Sequence, residues 1–181
     1  MDALSLPLTN RLMVLTAPHA AGKLMLELAA RLSLAGDVRV LDGGNRFNVY
    51  PVARAARRRS HDLTAALARI HLSRAFTCYQ LYALLAETPA DGLPVLIIDF
   101  LATFYDDNVR LAESQRLLSA CIPHLVRLSR SAPVVVSAKL PTHLSAEKLV
   151  LAEALQAAAH NNWQLEALPR PRMLTLWGEE A

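Results

Sequence analysis

Residues 12–24, LMVLTAPHAAGKL, decide how this chain is read. The run Leu12-Met13-Val14-Leu15 has the length and apolarity of a buried strand, and Gly22-Lys23 opens a stretch with helical spacing. Between them, Ala17-Pro18-His19-Ala20-Ala21-Gly22-Lys23-Leu24 follows the spacing of a phosphate-binding loop, G-x-x-x-x-G-K-[ST]. In its full form that loop joins a strand to a helix and cradles phosphates with backbone N–H groups. Two positions depart from the pattern. Ala17 replaces the first glycine, and Leu24 replaces the magnesium-binding hydroxyl. Pro18 removes one N–H from the cradle, and Ala17 lacks a glycine's freedom at positive φ. The segment therefore predicts nucleotide binding at most, with weakened or absent hydrolysis.

The surrounding composition is that of a globular chain. Its 181 residues fit one domain spanning 1–181, with 53% apolar and 19% charged residues, enough to bury a core without covalent staples. A net charge of +3 is too small to argue for nucleic acid by itself. Cys78 and Cys121 show no ligand spacing and are expected to be buried thiols in a reducing compartment. The first residues lack a basic n-region followed by an unbroken apolar stretch, and no run reaches the ~18 residues of a membrane span. A cytoplasmic protein with no membrane contact is the expectation.

Outward from the loop, strands and helices alternate. Strands are predicted at 12–16, 38–42, 68–72, 95–99 and 133–137; the last two are β-branched and nearly free of polar residues, as suits a sheet covered on both faces. Helices are predicted at 22–34, 79–87, 112–130 and 145–160, with Ser145 as an N-cap. Residues 163–168 and 173–177 flank Pro169-Arg170-Pro171-Arg172 and read as a terminal hairpin. The predicted architecture is three-layered α/β, mainly parallel, with helices on both faces and an antiparallel C-terminal edge. Ligands of such sheets sit at the carboxyl ends of the strands. The loop, Asp42, Asp99 and Ser137 all fall there.

Taken together, five blocks resemble the RecA-type recombinase core, in its archaeal and eukaryotic recombinases and their paralogues. They are the loop itself, VRVLDGGNRF at 38–47, LARIHLSRAFTCYQ at 67–80, VLIIDFLATF at 95–104, and the long helix and strand at 114–137. The resemblance covers roughly residues 10–140 and implies a RecA-like P-loop core without the family's N-terminal DNA-binding domain. It implies ATP as cofactor, held by residues 17–24, and makes Asp99 the Walker B residue that would hold magnesium through water. Three departures follow from the same alignment. Gly44 stands where a water-orienting glutamate would be, Leu24 where the metal-binding hydroxyl would be, and Lys139 near the place of a γ-phosphate-sensing glutamine. Phosphoryl transfer depends on positioned water and neutralised phosphates, so bound Mg2+ is not expected and the predicted enzyme is a pseudo-ATPase.

Other residues keep two readings. Lys23 at a helix start either meets a phosphate or is a solvated lysine. Asp99 either serves a nucleotide or caps the next turn, and Asp42 reads as structural. His19 reads as surface filler. The basic segment Arg54, Arg57, Arg58 and Arg59 either binds DNA phosphates or an acidic partner, or is a solvated helix face; Phe47 and Tyr50 nearby can stack on bases or belong to the core. No metal-ligand spacing is present. The leading expectation is a recombinase paralogue acting as an accessory factor in DNA recombination or repair, binding DNA, a recombinase or a sister paralogue. The alternatives are an active DNA-dependent ATPase and a nucleotide-free interaction module or inhibitor. Leu4, Leu6 and Leu8 alternate like a strand that joins a sheet edge, which predicts a homodimer or a hetero-complex.

Overall fold

The computed structural model describes residues 11–17, 19–139 and 146–165. Within them the order is β1 (Leu12–Ala17), α1 (Gly22–Ala35), β2 (Val38–Asp42), α2 (Val49–Arg57), α3 (Leu63–Ala68), β3 (Ile70–Arg74), α4 (Cys78–Glu87), β4 (Val95–Ile98), a 3-10 turn (Phe100–Tyr105), α5 (Leu111–Ser129), β5 (Val134–Lys139), α6 (Ala146–Ala158) and β6 (Asn161–Gln164). The six strands form one sheet in the order β3-β2-β4-β5-β1-β6, and every pairing is parallel.

The continuous apolar runs are explained by the two cores they serve. Successive side chains of a strand point to opposite faces. Met13, Leu15, Val38, Val40, Leu96, Ile98 and Val135 accordingly pack with α1, α2 and α3 on one face. Leu12, Val14, Leu41, Val95, Ile97, Val134 and Val136 pack with α4, α5 and α6 on the other. Each such side chain is buried almost completely, a gain of about 1.5–3 kcal/mol apiece relative to exposure. A polar residue in these strands would face a core whichever way it pointed, which is why polar groups collect at the strand ends. Cys78 and Cys121 lie in the second core; burial pushes the Cys121 thiol up to about 12, leaving it inert as a nucleophile.

The expected antiparallel C-terminal edge is corrected. Trp163 lies in β6, which runs parallel to β1 with Trp163 opposite Leu15. The reason is α6, which carries the chain back along the sheet before β6 begins, as a crossover between parallel strands must. The hairpin's Pro169-Arg172 turn, its second arm at 173–177, the Ser145 cap, Pro18, and the Leu4-Leu6-Leu8 strand lie outside the described residues. Residues 68–72 were expected to be a strand. Ala68 instead closes α3, and the strand falls two residues later, at Ile70–Arg74. Among the described residues no helix is long and apolar enough to cross a membrane.

Candidate functional site

The connections out of β2 and β4 part company. β2 leads to α2 and α3 on one face, and β4 leads to α5 on the other. A crevice opens at such a point, at the carboxyl ends of the two strands. Along this edge the sheet order places Arg74 at the end of β3, Asp42 at the end of β2, Asp99 just past β4, Lys139 at the end of β5 and Ala17 at the end of β1. Lys139 is in register with Ala17. Three of the four polar strand-end groups singled out in the sequence meet here, and the phosphate-loop strand ends one strand further along.

Asp42 is completely buried and saturated. Its Oδ1 accepts the Arg46 N–H at 2.9 Å and its Oδ2 the Phe47 N–H at 2.9 Å, with the Arg74 guanidinium 3.3 Å from Oδ2. A carboxylate holding two backbone donors of the turn after β2 is a loop organiser. The structural reading of Asp42 is supported.

Asp99 is different. It is 2% exposed and sits in the left-handed region, φ 51° and ψ 51°, which aims its side chain across the sheet edge. Its N–H donates to Ser137 Oγ at 3.0 Å. The Arg46 Nε approaches its Oδ2 at 3.4 Å, while its Oδ1 makes no close hydrogen bond among the described residues. Burial raises the carboxyl above the ordinary range, and the Arg46 cation, the Lys139 backbone N–H and the Lys139 cation oppose that rise. Gly44 lies directly against it. A Cβ added at Gly44 would stand 2.5 Å from Asp99 Cβ and 2.7 Å from Oδ2, and one at Gly43 would stand 3.3 Å from the Asp99 carbonyl oxygen. No side chain fits at residue 44 while Asp99 holds this position, least of all a glutamate. Nearby, Thr103 Oγ1 and Tyr105 Oη are also buried without hydrogen-bond partners among the described residues, and burial pushes the Tyr105 hydroxyl up.

The loop after β1 has no glycine where the backbone bends. Ala20 and Ala21 take φ of 50° and 48°, a conformation that costs a non-glycine residue about 1–2 kcal/mol. Ala17 is the last, extended residue of β1, so the left-handed geometry doubted at Ala17 falls three and four residues later. Gly22 has open space around its α-carbon and begins α1. The loop also bonds to itself. The Ala20 N–H donates to the Ala17 carbonyl and the Gly22 N–H to the His19 carbonyl, both at 3.1 Å. Two amides that an anion cradle would need are thereby engaged, and Pro18 has none to offer. His19 and Lys23 are exposed, whereas Leu24 is buried in the core under α1.

The arginines of the basic segment separate into two kinds. Arg54, Arg57 and Arg58 line a shallow groove of about 350 Å³ with Tyr50 and Ala53. Arg59 turns back onto its own helix, its Nη1 3.4 Å from the Ala55 carbonyl. The opposite face of α2, Val52, Ala55 and Ala56, is buried. Phe47 packs against the first core, while Tyr50 is 80% exposed, which resolves the two aromatics differently.

Two features of the corner are not visible in the sequence. Nothing in the spacing of Arg46 marks it, although its N–H meets Asp42 and its guanidinium meets Asp99. The fit of Gly44 against Asp99 depends on a contact between residues 55 positions apart. Gln80, part of the resemblance, has a local explanation: its N–H donates to the hydroxyl of the N-cap Thr77 at 3.2 Å, and its Oε1 accepts the Phe76 N–H, one residue before the cap, at 2.8 Å, so it holds the start of α4 in a variant of the capping box.

The donors present do not suit a magnesium ion. Leu24 offers no oxygen, a guanidinium already faces Asp99 Oδ2, and no group of three or more His, Cys, Asp or Glu residues able to hold a metal occurs among the described residues. No protein-family model matches this chain, and none of the curated proteins matches it.

Proposed function

We propose that this chain is a RecA-like recombinase paralogue that works as an accessory binding factor in DNA recombination or repair, with degenerate or absent ATP hydrolysis. The observation that carries this reading is the Gly44–Asp99–Arg46 corner. In a working P-loop enzyme an acidic residue here would serve a metal ion beside a water-orienting carboxylate. In this chain the glutamate position is a glycine pressed against the aspartate, and an arginine supplies the cation. The Arg46 guanidinium offsets part of the Asp99 charge from the place where a metal ion would stand.

Residual nucleotide affinity rests on Lys23 and the first turn of α1, where N–H groups and the helix dipole favour anions. Two engaged amides and Pro18 weaken the cradle, and Leu24 leaves the phosphates without a metal-binding hydroxyl. Binding then outlasts catalysis, because binding requires a few anion contacts while turnover requires a positioned water. What remains is a surface: a basic helix face on one side of the sheet and exposed Phe76 and Tyr79 at the start of α4.

The accessory role is tested by DNA strand exchange. A RecA-type recombinase is assayed with and without an equimolar amount of this chain. A several-fold change in rate, preserved when Lys23 is replaced by alanine, supports the reading. An unchanged rate over a wide range of added protein sinks it.

A further inference from the structure

The groove on α2 has a feature that charge alone does not require. Asn48 caps the helix, its Oδ1 accepting the Tyr50 N–H at 2.9 Å, so the backbone that carries Tyr50 is fixed. Positions 50, 54, 57 and 58 share one face by helical spacing, and their side chains line one groove. Tyr50 is 80% exposed at one end of it. Arg54 and Arg57 have no ion-pair partner among the described residues, and Arg58 has only a loose one, its Nη2 3.9 Å from Glu27 Oε1 with the guanidinium 61% exposed. An exposed ring on a capped helix start thus stands beside three guanidiniums, two of them without an ion-pair partner among the described residues.

We infer that this stripe is a binding site for single-stranded nucleic acid, with one base stacked on Tyr50 and the flanking phosphates on Arg54, Arg57 and Arg58. The proposal rests on the DNA-binding part of the function given above and narrows it to one strand state and one site. Charge complementarity selects a polyanion. The aromatic ring selects an unpaired strand, because a base must present a free π-face to stack, and duplex bases are already stacked on each other. From residue 50 to residue 58 the stripe runs about 12 Å at 1.5 Å per residue, a span of a few nucleotides. Glu27 at its edge competes with phosphate for Arg58.

The test is fluorescence anisotropy of the full chain with a labelled oligo-dT, a duplex of equal length, and a poly-glutamate peptide, each from about 50 to 200 mM salt. Oligo-dT should bind tighter than the other two. Tyr50→Ala should weaken it roughly five- to hundred-fold, the range of one base stack, while Tyr50→Phe keeps the affinity. Replacing Arg57 and Arg58 by Gln should flatten the salt slope by about 0.7 per arginine. All these side chains are exposed, and circular dichroism checks that each variant is folded. Duplex binding that equals oligo-dT and ignores Tyr50→Ala overturns the single-strand site while leaving DNA binding standing. Tighter binding of poly-glutamate, or no binding of either DNA at low salt, overturns both, and the strand-exchange assay then decides whether the accessory role survives through protein contacts alone.

Discussion

Asp42 and Asp99 stand at the ends of neighbouring strands, both buried, both within reach of Arg46, and they have been treated oppositely by the fold. Asp42 accepts two backbone N–H groups and faces Arg74, so its charge is compensated from three directions. Asp99 has one oxygen 3.4 Å from Arg46 and the other without a close hydrogen bond among the described residues, with only the Lys139 N–H and cation acting on the carboxylate besides. A buried carboxylate that organises a turn stabilises its surroundings; one left half-satisfied is carried at a cost. The difference separates an aspartate that organises a turn from one whose charge is only partly compensated, and buried carboxylates with raised pKa concentrate at functional sites.

The comparison can be broken first at Gly44. Gly44→Glu restores the residue that the recombinase resemblance implies, yet its Cβ must enter space 2.5 Å from Asp99 Cβ. Overpacking and a second carboxylate beside the first should together destabilise the fold by about 3 kcal/mol or more, read by urea unfolding, and should not create ATP turnover. A stable variant with new hydrolysis would mean that the corner opens readily.

Asp42→Ala should cost about 2 kcal/mol, because the Arg46 and Phe47 N–H groups lose their acceptors; Arg74 is exposed enough to be rehydrated. Asp99→Asn should have the smallest effect. Burial holds the Asp99 carboxyl above the ordinary carboxylate value, about 3.9, so the folded state binds this proton more tightly than the unfolded chain does. Stability then falls as pH rises through the window between the ordinary and the raised value, and the penalty is complete above it. Removing the charge should leave stability at pH 7 within about 1 kcal/mol of the parent or above it, and remove that part of the pH slope. Equal losses for Asp42→Ala and Asp99→Asn would erase the distinction between the two residues.

Much of the sheet is legible in the sequence because β4 and β5 are buried on both faces and are apolar except for Ser137 and the terminal Lys139, so their runs stand out. β2 is read to its last residue for the same reason, since Asp42 marks where the core ends. α2 and α3 are not legible. α2 buries only Val52, Ala55 and Ala56 and α3 only Ala66, and alanines among arginines leave almost no apolar period. β3, an edge strand facing one neighbour, has a weak pattern, and its start was misplaced by two residues. The direction of β6 depends on the crossover before it, a property of the whole sheet. At the candidate site, residue identities such as Gly22, Lys23 and Asp99 are read from spacing, whereas Arg46 and the Gly44 contact belong to packing between distant segments.

The central claim of the proposed function is that this chain does not turn over ATP. Steady-state phosphate release by the purified chain, with ATP and magnesium and with or without single-stranded DNA, tests it most directly. The account predicts no release above background in either condition, and no difference between the parent and Lys23→Ala. Turnover of about 0.1 per second or more, within reach of ordinary enzymes, that disappears in Lys23→Ala would contradict it.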